Sequence, residues 1–271
     1  MFTRPEQNYV IKDTVIDGIL NDEAQPLCQI AKMLPEGATV LDIGAGSVIL
    51  GRVLKRAGKH VTIDAIEPNA FAVELARPYY RAIYQGYAQD HFQAIRAISY
   101  DYVVLADVIE HISDPAAFLT ELLKFLPEST RLIISIPNIA FGGVRLALLN
   151  GTFDYVDSGL LERTHLRFFT LATAQKLFDL LHLSPERILS LERSFYRVEF
   201  TRKNIKASLL QIWRLANKSD ARAYQYLFVL TRKSNHTKAV EHLGASTMNI
   251  LIDALVAWPA IKRIARRWKV R

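Results

Sequence analysis

The chain is poor in cysteine: Cys28 stands alone, so no intrachain disulfide can form. A disulfide-held framework is thereby excluded, and a reducing, cytoplasmic setting is expected. No apolar secretory segment opens the sequence; charged residues such as Arg4, Glu6 and Lys12 occupy that stretch. Internal repeats and low-complexity tracts are missing too, which excludes solenoid and compositionally disordered architectures. Excess charge is nearly absent outside one place. The formal net charge is +7, but Lys262, Arg263, Arg266, Arg267, Lys269 and Arg271 supply six of those charges, and the remaining 28 basic residues face 27 acidic ones. Such a neutral body argues against broad nucleic-acid contact. What is present is 271 residues, 50% apolar and 23% charged, enough for one core domain plus an appendage.

The stretch from Val40 to Gly51 organises the chain. It reads as a short apolar strand carrying Asp42, two glycines one residue apart (Gly44 and Gly46), and a helix beginning near Ser47. Glycines leave no side chain where backbone must turn sharply and approach a ligand, and a helix start points unpaired N–H groups at the same place. The pattern fits a nucleotide cradle, although an ordinary strand-to-helix turn has the same letters.

In chain order, residues 1–21 read as a lead-in. Asn21 or Asp22 is placed to cap a helix carrying Leu27, Ile30, Ala31 and Leu34, which Pro35-Glu36-Gly37 stops. After the cradle, a helix with Val48, Leu50, Val53 and Leu54 runs to Gly58, and a second strand ends in Glu67-Pro68. An acid at the end of the second strand, about twenty residues beyond the glycines, is placed to accept from both ribose hydroxyls of a nucleotide. A helix follows over 70–80, a third strand over 83–86 and a short helix over 91–98. A buried-type strand runs from Tyr100 to Ala106 and Asp107, and a fifth spans Arg131 to Ile136. Strands alternating with helices describe an α/β doubly wound parallel sheet whose ligands gather at the carboxyl ends of the strands.

Asp107, Glu110 and His111 are spaced i, i+3 and i+4, which puts them on one face if a helix begins near Asp107. His165 lies in the long connection after the fifth strand. Three readings of the four residues stay open: His165 or His111 as proton acceptor, a divalent metal site of Asp107, Glu110, His111 and His165, or a structural Glu-His pair.

The letters LDIGAG, IEPN and above all YDYVVLADVIEHISDP resemble the class I S-adenosylmethionine-dependent methyltransferases. The stretch SIPNIAFGGVRLALLNGTFDYVDSGLLERTHLRFFT is similar to a subgroup from bacterial surface-polysaccharide pathways. Likeness to the ubiquinone O-methyltransferases is looser. The resemblance covers about residues 25–235 and implies a Rossmann-like, seven-stranded, mostly parallel sheet with helices on both faces. Its last strand would be antiparallel, from the runs 188–200 and 224–231. S-adenosyl-L-methionine is the implied cofactor, with Mg2+ as an optional second one. Asp42 would lie near the methionine amino group, Gly44, Ala45 and Gly46 against its carboxylate and sulfonium end, Glu67 with Pro68 at the ribose, and Ala106 and Asp107 beside the methyl. The catalytic residues implied are His165, His111 and Asp107. Departures are Val48, where a third glycine is common, and Tyr87, where an Asp is common; Tyr87 stacking on adenine, or Asp90 reaching its amine, fills that role. In related metal sites the acid at the position of Asp107 is a Glu.

The connection 140–170 is rich in Gly142, Gly143, Gly151 and Gly159 and in aromatics, and reads as a lid over the acceptor. Arg145, Arg163 and Arg167 are candidates for an anionic acceptor. Residues 1–235 thus form the expected methyltransferase domain, and 236–271 a basic amphipathic C-terminal helical extension. There Ile261, Ile264, Ala265 and Trp268 repeat at helical spacing among basic residues, with Trp258 before them. Such a helix suits an anionic membrane surface, giving a peripheral location on the inner face. Packing on protein is the alternative reading. A full span is disfavoured, since Asp253 would cost roughly 3 kcal/mol in a bilayer. The expected function is methylation of a hydroxyl on a sugar, glycolipid intermediate or other small molecule. An RNA methyltransferase and a non-catalytic cofactor-binding partner subunit are the alternatives.

Overall fold

Four runs of branched apolar residues form the middle of a sheet, and the computed structural model describes them within residues 11–46, 49–196, 198–200, 206–232 and 239–256. In chain order the elements are α1 (Asp13–Leu20), α2 (Pro26–Met33), β1 (Thr39–Ile43), α3 (Ile49–Arg56), β2 (Thr62–Glu67), α4 (Ala70–Ala76), β3 (Ala82–Gln85), α5 (Ala88–Arg96) and β4 (Tyr102–Ala106). After β4 come a 3-10 turn at Ile109–His111, α6 (Pro115–Leu123), β5 (Arg131–Pro137), α7 (Gly142–Leu149), α8 (Leu171–Leu180) and β6 (Ser184–Glu192). The described residues end with α9 (Leu209–Ala216), α10 (Ser219–Arg222), β7 (Ala223–Thr231), β8 (Val240–Gly244) and α11 (Thr247–Val256).

The strands join in the order β3-β2-β1-β4-β5-β7-β6-β8. All neighbours are parallel except that β7 runs antiparallel to both β5 and β6. Pleating sends alternate side chains to opposite faces. In β4, Val103 and Leu105 enter the core that includes α5, α6 and α8 residues, while Val104 enters the one that includes α2 and α3 residues. A third core joins α7, α9 and α11 around Phe141, Phe195 and Phe200. Strand order reverses between β1 and β4, so the crevice at their carboxyl ends is the ligand position of a doubly wound sheet.

The mostly parallel Rossmann-like sheet is present, with eight strands among the described residues instead of seven. The added strand comes from the segment expected to be wholly helical. β8 pairs with β6, and only then does α11 begin. Gly244 permits this, because a Cβ there would lie 2.3 Å from the Glu192 carbonyl oxygen. Near the N-terminus, α1 occupies part of the expected lead-in. Neither Asn21 nor Asp22 caps α2, which starts at Pro26; Asp22 instead accepts the N–H of Ala24 at 3.0 Å. Proline preset for the first turn makes a later start favourable. α4 stops at Ala76 instead of reaching Tyr80, and Pro78, which has no N–H to donate, cannot carry the helix on. Ser47, Val48 and the tail with Trp258, Ile261, Ile264, Ala265 and Trp268 lie outside the described residues.

Candidate active site

β1 ends by burying Asp42, whose carboxylate accepts the Tyr80 hydroxyl at 2.7 Å. Burial, joined by the charge of Glu67, pushes the Asp42 carboxyl up to about 7 despite that bond. Tyr80 in turn accepts the N–H of Gly51 at 3.1 Å, and only glycine fits there, since a Cβ would come within 2.7 Å of the Tyr80 ring.

The glycine loop hangs on β2. Gly44 and Ala45 donate to the Ile66 carbonyl at 2.9 and 3.4 Å. Glu67, also buried, accepts the N–H of Gly46 at 2.7 Å and that of Asn69, beyond Pro68, at 2.8 Å. Gly44 and Gly46 both have positive φ, at 76° and 51°. A Cβ on Gly44 would strike Val108 at 2.9 Å, whereas one on Gly46 would meet only the Gly44 carbonyl, at 3.7 Å. The space beside Gly46 is therefore open to a ligand, and two acids at adjacent strand ends flank the loop, a donor set that fits the ammonium and ribose of S-adenosylmethionine. Tyr87 is half exposed just before α5, while Asp90 accepts the Tyr87 N–H at 3.2 Å and so serves the helix start.

At the end of β4 follow Ala106 and Asp107. The expected helix face at Asp107 does not form: Asp107 takes φ 55°, and only the short turn Ile109–His111 follows. Its carboxylate turns to β5 and β7, accepting Ser135 Oγ at 2.7 Å and Gln225 Nε2 at 3.0 and 2.9 Å. Burial raises its pKa above the ordinary carboxylate value, opposed by these two donors. Asp107 consequently lies outside the group of Glu110, His111 and His165, which each place a ligand atom within 4.8 Å of the others.

That group is assembled by the connection 140–170. Leu166 and Arg167 donate backbone N–H to the Glu110 carbonyl at 2.8 and 3.0 Å, which brings His165 over His111 with ring centroids 4.8 Å apart. His111 Nδ1 lies 3.1 Å from the Thr164 carbonyl and His165 Nδ1 lies 3.0 Å from that of Leu160. A carbonyl only accepts, so each Nδ1 carries a proton, and in the neutral ring Nε2 is the basic nitrogen. Glu110 is buried, and neither carboxylate oxygen has a hydrogen-bond partner among the described residues. Burial, followed by the Asp107 charge, pushes its pKa well up.

Arg145, Arg163 and Arg167 are engaged within the chain, with Asp220, Asp157 and the Ser113 carbonyl respectively. Tyr80, Ser135 and Gln225 were not signalled as site residues. Ser135 is the lone hydroxyl in an apolar strand and was legible as such; Tyr80 and Gln225 reach their partners only through the fold.

A family model described as a methyltransferase domain matches residues 21–183. The chain therefore belongs to that family, within the class I S-adenosylmethionine-dependent methyltransferases. It is similar to a ubiquinone biosynthesis O-methyltransferase of Xylella fastidiosa, 30% identical over 140 residues, or 50% of this chain and 56% of the relative. The relative of that name from Caulobacter vibrioides is 32% identical over 133 residues, covering 48% of this chain and 52% of the other. The chain thus spans about half the length of the curated relatives it matches. A solved S-adenosylmethionine-dependent methyltransferase from Archaeoglobus fulgidus shares the fold at TM-score 0.55 and 16% identity, covering 83% of this chain and 97% of its own.

Proposed function

We propose that the protein methylates a hydroxyl of a sugar, glycolipid intermediate or other small molecule. S-adenosylmethionine, when bound, supplies an electrophilic methyl group; Asp42, Gly44, Ala45, Gly46, Glu67, Pro68, Tyr87, Ala106 and Asp107 are the residues that would hold it. The observation that carries O-methylation is the pair formed by His165 and His111. Methyl transfer to a hydroxyl requires alignment and removal of one proton. His165, held by Leu160 and set over His111, is oriented to take that proton at Nε2. Its Nδ1–H bond to the carbonyl steadies the imidazolium that results. Asp107, fixed by Ser135 and Gln225, orients the acceptor beside the methyl. The names of the relatives support an oxygen acceptor and leave the sugar to be tested.

A second reading is favoured by Glu110. A buried carboxyl without a partner, beside two histidines whose Nδ1–H groups are bound to carbonyls, is also a donor set for a divalent ion. Such an ion would lower the pKa of the acceptor hydroxyl. Asp107, engaged elsewhere, takes no part in this set.

For location, no helix among the described residues is long and apolar enough to cross a membrane. Exposed Leu149, Leu210, Trp213 and Met248 on α7, α9 and α11 support peripheral docking on an anionic surface, and the sequence adds six basic residues over 262–271. Co-sedimentation with anionic but not neutral vesicles checks this; equal recovery with both defeats it.

The test of the main reading is thermal unfolding with S-adenosylhomocysteine, in Mg2+ and in chelator. Ligand at about a hundred times its Kd adds roughly 2.7 kcal/mol. A shift indifferent to the ion supports the histidine base, and a shift enlarged by Mg2+ supports the metal. No shift in folded protein defeats the cofactor assignment.

A further inference from the structure

The imidazole of His165 leans on Leu160, whose carbonyl takes its Nδ1–H at 3.0 Å. Leu160 is held in turn from a distant part of the chain. Its backbone N–H donates to Oε1 of Glu199, between β6 and α9, at 2.8 Å. The Tyr224 hydroxyl meets the same carboxylate, at 3.3 Å from Oε1 and 3.1 Å from Oε2. Gly159 makes room for this approach: it takes φ 116°, and a Cβ there would lie 2.7 Å from Glu199 Oε1. Leu160 is only 1% exposed, and a buried N–H that loses its acceptor is costly, so the backbone shifts to find another.

We propose that Glu199 is a positioning residue for methyl transfer: by holding Leu160 it fixes the tautomer and direction of His165, leaving Nε2 to take the acceptor's proton. The role rests on the reading of His165 as proton acceptor. A neutral imidazole carries its proton on either nitrogen, and the hydrogen bond made by one of them decides which. Tyr224 and Gln225 are consecutive at the start of β7, where the pleat sends them to opposite faces. Tyr224 holds Glu199 and Gln225 holds Asp107, so one strand end sets both the group that removes the proton and the group that orients the acceptor. Leu160 and His165 lie within residues 21–183, whereas Glu199 and Tyr224 lie outside them. The part of the site that matches the family model thus takes its alignment from a part that does not.

The test is long-range proton–nitrogen NMR of the full chain labelled at histidine, with S-adenosylhomocysteine and a chelator, at a pH where the rings are neutral. His165→Gln identifies the His165 signal, which is expected as the Nδ1–H tautomer in the wild type. Glu199→Ala is expected to move the tautomer ratio about 3–10-fold toward Nε2–H, the worth of one weakened hydrogen bond. Glu199→Gln, whose amide oxygen still accepts from Leu160, keeps the Nδ1–H form. A Glu199 that only supported the fold would lower stability and leave the tautomer alone. Tyr224→Phe removes the hydroxyl and keeps the ring edge-on to Phe141, with centroids 5.3 Å apart; it moves the ratio in the same direction and decides the matter if Glu199→Ala does not fold. A ratio unchanged in the folded variants, or moved as far by Glu199→Gln as by Glu199→Ala, overturns the assignment. The thermal shift with S-adenosylhomocysteine is read in the same samples. If that shift is missing, the methyltransferase reading fails; if it is present and the tautomer does not respond, only the role of Glu199 does.

Discussion

The Tyr80 hydroxyl donates to Asp42 at 2.7 Å and accepts from Gly51 at 3.1 Å, so one oxygen ties β1, α3 and the turn after α4 together. Tyr80→Phe leaves a buried carboxylate without its donor and a backbone N–H unpaired. The expected loss is about 1–3 kcal/mol, larger at pH 8 than at pH 5 because the missing bond favours the charged form. Denaturant titration at the two pH values checks this; equal losses at both would show that the hydroxyl does not act through the Asp42 charge.

Asp42 sets a pH dependence of its own. Its pKa rises from an ordinary 3.8 to about 7, so the folded chain holds the proton more tightly than the unfolded one. The stability this adds is complete below pH ~4 and is lost as pH rises through ~7. Asp42→Asn removes that slope: the variant matches the wild type near pH ~4 and exceeds it by a few kcal/mol at most at pH ~8. Unfolding curves across that range decide it, and parallel profiles for the two proteins would refute the shift.

Gly44→Ala combines a left-handed backbone with a clash on Val108. About 1–3 kcal/mol of destabilisation is expected from the conformation alone. Adding Val108→Ala removes the atom at 2.9 Å but not the φ of 76°, so the double variant recovers part of the loss. A double-mutant cycle in urea measures the recovered fraction. Full recovery would mean that the backbone bears no strain there.

His165→Ala is expected to lower methyl transfer by about 10²–10⁴-fold while retaining the thermal shift with S-adenosylhomocysteine. Turnover that survives the substitution would remove His165 from the proton path.

Asp42, the two glycines and Glu67 were legible because each sits within a few letters of a strand end, where local pattern fixes position. His111 and His165 were legible by residue type, but their pairing depends on backbone bonds from Leu166 and Arg167 to Glu110, which no spacing encodes. The condition that a helix begin near Asp107 is not met, because i, i+3, i+4 spacing cannot show that a non-glycine residue takes φ 55°. Gln225 sits on β7, which reaches the site by pairing with β5, and antiparallel register between segments so far apart leaves no local trace. β8 escaped notice because its exposed positions, Glu241 and His242, give a short edge strand little apolar alternation.

That edge strand bears on solubility. Without β8, the side of β6 carrying Ile188, Leu189 and Leu191 would offer unpaired N–H and C=O groups beside apolar side chains, a template for another chain to extend. β8 is only five residues long and presents Glu241 and His242 to water, so it ends the sheet where β6 would invite its continuation. Shortening the chain before Val240 is therefore expected to promote edge-to-edge association.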